Sequence, residues 1–299
     1  MRPARFYRRL ASPLHAARAG IGALWVASLC AAALLLYNPL ALAALALAVL
    51  GAAAGAGVGR HVAGTLRTAL IVALPIVLVN VLVTRDGLTV FARLGDLGPF
   101  GQGDLTVEAL VYGAVIALKV STLIVITTLA GLAVDPDEML RGLRRLSFRS
   151  ALTASLATRM IPLLAADAQR LDEAQRTRPD GAPGGARGRL ALFGAVLGGS
   201  LDRAMDVAAT LELRGFAHAT RARPRLRGVR RPWSRHDLAF AVSASVVVAL
   251  ALAGRLTGAA SFTAYPELLV RLDAGTLALC AALAVAVLMP ACDRRGIEP

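Results

Sequence analysis

"LTVEALVYGAVIALKVSTLIVITTLAGLAVDPDEMLRGLRRL", Leu105–Leu146, decides the fold. Its first part, Val107–Val134, is an unbroken apolar run in which Glu108 and Lys119 are the charged residues. A run of about 20 apolar residues crosses the ~30 Å of bilayer hydrocarbon, so this one is long enough to span. It then passes without a linker into Asp135-Pro136-Asp137-Glu138, a helix start. Aspartate can cap, proline suits the first helical position, and Glu138 has capping-box spacing. A membrane span therefore leads straight into an amphipathic helix that runs to about Leu146.

The same character extends along the chain. Of its 299 residues 57% are hydrophobic and 17% charged, with a mean hydropathy of +0.62. Soluble domains carry about 25% charged residues. Further apolar spans are expected at Ile21–Tyr37, Pro39–Val58, Thr68–Thr84, Leu238–Thr257 and Leu272–Pro290. The first two are short and share an Asn38-Pro39 turn, so the N-terminal apolar segment reads as a signal-anchor helix opening a hairpin. Thr84–Gly87 reads as a turn, and Ala92–Gly103 as an external loop with a short interfacial helix. Gly55–Gly59 reads as close helix packing in the membrane.

The net charge of +14 comes from 32 arginines and one lysine, Lys119. These charges flank apolar spans, which favours topology and anionic lipid over nucleic acid. Residues 1–20 carry five arginines, and Asp135–His236 carries 19 arginines against ten acidic residues. Arg60, Arg67, Arg294 and Arg295 join them on one side of a six-span topology. The expectation is an all-α integral membrane protein of the cell membrane with about six transmembrane helices and both termini cytoplasmic. Its parts are a basic N-terminus (1–20), four helices (21–134), a cytoplasmic domain of two to three amphipathic coupling helices (135–236), two more helices (237–291) and a tail (292–299).

The cytoplasmic domain has two longer helices. One begins near Ser150, places Leu152, Leu156, Met160, Leu163, Leu164 and Leu171 on an apolar face, and is bent at Pro162. Gly181–Gly188 reads as a flexible loop. The next has a heptad-like seam of Leu190, Phe193, Leu197, Leu201, Ala204, Ala208 and Leu211. Each ends on an arginine followed by a helix breaker. An arginine at a helix C-terminus complements the helix dipole by about 0.3–1 kcal/mol, and glycine after it is an ordinary cap. That would be structural. Its repetition on two successive helices, each with an apolar face larger than a hairpin needs, points to a partner whose carboxylates the guanidinium forks could take.

"MIPLLAADAQRLDEAQRTRPD" (Met160–Asp180) and "LDRAMDVAATLELRGFAHA" (Leu201–Ala219) resemble two signature regions of the transmembrane T component of energy-coupling factor transporters, also called cobalt-transport permeases. The resemblance covers Leu105–Pro232, and the flanking spans by hydropathy. It implies the membrane scaffold of an ATP-driven importer of a vitamin or metal ion. Two ATPase subunits and a separate substrate-capturing membrane protein would be its partners. The coupling triplets would be Thr177-Arg178-Pro179 and Leu213-Arg214-Gly215. The first departs from the family's small residue–Arg–Gly form, and Pro179 biases Arg178 toward an extended backbone. Arg176 is the rival for the role of Arg178.

Other chemistries find little support. A Walker loop needs Gly-Lys-Ser/Thr, and the one lysine sits in "ALKVS" inside a span, so an enzyme is not expected. Cys30, Cys280, Cys292 and the four histidines have no metal-ligand spacing, so no cofactor is expected. A stand-alone secondary transporter, the alternative, needs polar groups at mid-membrane; the spans offer Lys119, Thr127 and Thr128. A lipid-modifying enzyme would need an acid–base cluster that no spacing provides. Lys119 reads equally as a functional group and as a snorkelling structural one.

Overall fold

The computed structural model describes residues 10–84, 89–96, 102–143, 148–177, 185–215, 232–264, 269–270 and 273–293. The chain divides into two compact units, Met1–Glu138 with Pro232–Pro299, and Met139–Arg231.

The first unit is an apolar helical bundle: α1 (Pro13–Ala16), α2 (Ala19–Leu35), α3 (Pro39–Gly55), α4 (Gly59–Val83), α5 (Val107–Ala133), α9 (Arg235–Leu256) and α10 (Ala274–Cys292). Four of these, α4, α5, α9 and α10, are long and apolar enough to cross a membrane, and α2 and α3 are shorter apolar helices. The protein is an all-α integral membrane protein. The sequence dictates where its helices start. Asn38 Oδ1 accepts from Leu40 N at 3.0 Å ahead of Pro39. Thr106 Oγ1 accepts from Ala109 N at 3.3 Å to start α5. Ser234 and Asp237 form a reciprocal capping box on α9.

The helix α4 begins nine residues before the span expected from Thr68. Arg60 and Arg67 are exposed on it, and a helix need not stop where the hydrocarbon does. The Gly55–Gly59 stretch forms the turn between α3 and α4, although Gly55 does lie against the Ala291 backbone. The expected interfacial helix in Ala92–Gly103 is instead a β-hairpin, β1 (Val90–Asp96) with β2 (Gln102–Thr106), paired antiparallel with Val90 opposite Thr106. Its base is tied to α5 by the buried Glu108 carboxylate, which accepts from Thr89 N at 3.1 Å. A second short pair, β3 (Phe262–Thr263) with β4 (Leu269–Val270), lies between α9 and α10.

Contacts along the bundle fix its helix directions. His15 Nε2 lies 3.3 Å from Leu132 O, and Arg18 N donates to Asp237 Oδ1 at 2.8 Å. Trp25 stacks edge-on against Phe240, with centroids 5.2 Å apart. At the far end Lys119 reaches Leu34 O and Arg255 reaches Tyr37. Thus α2 runs parallel to α9 and antiparallel to α5. The end of α5 and the start of α9, between which the second unit is inserted, lie at the same end of this bundle.

One inter-helix contact repairs a defect. Pro290 lies inside α10 and has no N–H, so the Ala286 carbonyl one turn earlier lacks its helical donor. Ser243 Oγ donates to that carbonyl at 2.6 Å and accepts from Trp25 Nε1 at 2.9 Å. Both residues are buried. In hydrocarbon, where water cannot serve, this is how a proline-broken ladder is completed.

The second unit holds α7 (Phe148–Arg176) and α8 (Gly185–Leu213). The short helix α6 (Pro136–Leu143) begins in the first unit, with Asp135 Oδ1 accepting from Asp137 N at 2.9 Å, and ends in the second. Gly185–Gly188, expected in a loop, already belongs to α8. Arg203 Nη1 donates to Asp167 Oδ2 at 2.9 Å, linking α7 and α8. The less exposed positions of α8 are Gly188, Leu192, Val196, Ser200, Arg203, Val207 and Leu211. The heptad-like seam, apart from its last member Leu211, lies on another face: Leu190, Phe193 and Leu201 are more than 60% exposed. A seam of this period identifies an apolar stripe and not the surface that covers it.

Candidate functional site

The two arginine ends differ in the structure. α8 closes at Leu213, with Arg214 N donating to Thr210 O at 3.2 Å and Gly215 N to Glu212 O at 2.8 Å. Gly215 has φ +74°, the left-handed conformation that stops a helix and that glycine adopts without a Cβ penalty. The chain therefore turns away directly after Arg214. Leu213 and Arg214 are both exposed, and no described residue forms an ion pair with Arg214. The guanidinium keeps its five N–H donors available to a partner.

At the end of α7, Thr177 N donates to Glu173 O at 3.2 Å and its hydroxyl to Ala174 O at 3.0 Å, so Thr177 is the closing residue of the helix. Arg178 and Pro179 lie outside the described residues. Arg176 bonds back to Asp172, one turn earlier, at 2.6 Å. The pair is exposed, so it is worth no more than about 1 kcal/mol and holds the guanidinium only loosely. Among the described residues the two ends thus present one unengaged arginine, Arg214, and one already engaged on its own helix, Arg176.

Beside Arg214 lies the exposed apolar face of α8, running through Leu190, Phe193, Leu197, Leu201 and Met205. Exposed apolar patches rimmed by charge mark interaction surfaces. Asp202, Arg203, Asp206 and Glu212 supply that rim. The apolar stripe was legible in the sequence; that it is uncovered was not.

A family model described as CbiQ, cobalt transport protein, matches residues 11–225. The chain belongs to this family. No curated protein matches it. The family match takes in α1 to α8, including the first three apolar helices, which hydropathy alone had assigned, and both arginine ends; α9 and α10 lie beyond it. The cobalt transport family places the chain among membrane transport proteins.

Within the bundle, Lys119 is 8% exposed. Its Nζ donates to Leu34 O at 3.2 Å and sits 3.8 Å from the Tyr37 ring centroid. Leu34 is in the last turn of α2, whose carbonyls have no helical donor. Lys119 therefore acts at least as a cap on the end of α2. Among the described residues, no group of three His, Cys, Asp or Glu side chains could hold a metal ion.

Proposed function

We propose that this chain is the non-catalytic membrane scaffold of an ATP-driven importer of the energy-coupling-factor type. In this reading, two partner ATPases hydrolyse nucleotide, and a separate membrane subunit captures the vitamin or metal ion. The scaffold transmits motion between them. The observation that carries the reading is Arg214: a guanidinium that no described residue pairs with, on an exposed helix end whose backbone stops at Gly215. Such a group is shaped for bidentate capture of a partner's carboxylate. Arg178 would serve the second ATPase. The uncovered seam of α8 would hold the capturing subunit. The arginine asymmetry supports placing the second unit and both termini in the cytoplasm.

The test is co-purification. Tagged full-length chain, expressed with candidate ATPase subunits, is expected to retain them, and Arg178→Ala with Arg214→Ala together to release them. One charge-assisted hydrogen bond is worth about 1.5–3 kcal/mol, or roughly 10- to 150-fold in affinity per arginine. Full ATPase retention by the membrane-inserted double variant would overturn the proposal. So would solute uptake by the purified chain alone.

A further inference from the structure

The first helical hairpin is too short for the bilayer. The helices α2 and α3 have 17 residues each, about 25 Å at 1.5 Å per residue, against ~30 Å of hydrocarbon. Arg18 and Asp237 tie the start of α2 to the start of α9. With that end set at one headgroup plane, the opposite end, at Leu36–Asn38, would stop several ångströms short of the other. Neighbouring α5, with 27 residues, continues past it from Lys119 toward Val107, whereas α9 ends level with it at Leu256, one residue after Arg255. A bilayer meeting such a step must thin, or lower a polar head into it.

Two cations converge there. Lys119 Nζ lies 3.8 Å and Arg255 Cζ 5.7 Å from the centroid of the same Tyr37 ring. They come from α5 and α9 respectively, and the ring follows α2. Lys119 is more than nine-tenths buried and spends one of its three N–H donors on Leu34 O. Arg255 is exposed, and Tyr37 half exposed, so the group opens outward from the bundle. No described carboxylate forms an ion pair with either cation. Glu108 is occupied with Thr89, and Asp273 stands at the N-cap of α10 without pairing Arg255. Two like charges sharing one ring, with donors to spare and no acid between them among the described residues, form an incomplete electrostatic arrangement. In low dielectric that is costly.

We propose that the step above Tyr37, bounded by Lys119 and Arg255, binds the phosphate of an anionic phospholipid drawn down from the leaflet at that end of the bundle. The phosphate oxygens take the open N–H groups of both cations. The apolar sides of α2, α5 and α9 accommodate the acyl chains. This site does not depend on the scaffold reading above.

Native mass spectrometry of the full-length chain, released from vesicles of phosphatidylglycerol and phosphatidylcholine, tests it. The wild type is expected to retain phosphatidylglycerol preferentially. Arg255→Gln, on an exposed surface, is expected to weaken that retention about tenfold, equivalent to about 1.4 kcal/mol. Lys119→Met is expected to do the same if it folds. Arg235→Gln, at the opposite end, is expected to leave the retention at this site unchanged. Unchanged lipid retention in Arg255→Gln overturns the proposal. Displacement of the lipid by millimolar inorganic phosphate also overturns it, because the site would then be one for a free anion.

Discussion

Ser243→Ala removes one hydroxyl and orphans two groups. Trp25 Nε1 loses its acceptor at 2.9 Å, and Ala286 O loses the donor at 2.6 Å that replaces the amide missing at Pro290. A buried polar group left without a partner costs about 1–3 kcal/mol. Inter-helix bonds in membranes average nearer ~0.6 kcal/mol, because the separated helices find other partners. Two groups give about 1.2 kcal/mol at the low end and 6 at the high end. We expect about 2 kcal/mol, because Trp25 is fully buried and Ala286 O has no helical alternative. The assay is SDS or thermal unfolding of the full-length protein in mild detergent. The decisive comparison is Ser243→Ala in a Pro290→Ala background, where residue 290 regains its N–H and can bond Ala286 O. There the Ser243→Ala penalty is expected to fall by about 1 kcal/mol, one buried group's share. Trp25→Phe is expected to remove the other half. Equal penalties in the proline and alanine backgrounds would refute the repair.

Three further outcomes follow from the same structure. Gly113 faces α4 so closely that an added Cβ would lie 3.0 Å from Asn80 Cβ and 3.2 Å from Val77 Cα; Gly113→Leu is expected to cost at least about 1–3 kcal/mol by overpacking, read by the same unfolding assay. Asp237→Ala removes the carboxylate that receives Arg18 N and Ser234 N and pairs with Arg18 Nε; a loss of about 1.5–3 kcal/mol is expected, with Asp237→Asn milder because one oxygen remains. Phe193→Asp with Leu201→Asp charges the uncovered face of α8; retention of a substrate-capturing subunit is expected to fall while ATPase retention holds, both read on one co-purification gel.

Much of this architecture was written locally. Apolar run length marked the four long and two shorter apolar helices of the bundle, and the residues that start α3, α5 and α6 (Asn38-Pro39, Thr106, Asp135-Pro136) act through bonds two or three residues long. Arg176 and Asp172 were likewise four apart, the spacing at which helix neighbours meet. What could not be read depends on distant pairs. Ser243 meets Trp25 across 218 positions, and Lys119 meets Leu34 across 85. The β1–β2 hairpin escaped because "FARLGD" does not alternate cleanly. The α8 stripe was visible but its direction was not, since periodicity finds a face without naming what lies opposite. At the candidate site, Leu213-Arg214-Gly215 was legible because a helix stop needs a residue tolerant of positive φ.

The proline in α10 also has a bearing on biogenesis. A transmembrane segment entering lipid alone can close its own ladder, but α10 cannot, since the hydroxyl it needs belongs to α9. The two C-terminal segments would therefore leave the insertion machinery most cheaply together. Until they do, the indole of Trp25 waits for an acceptor made 218 residues after it.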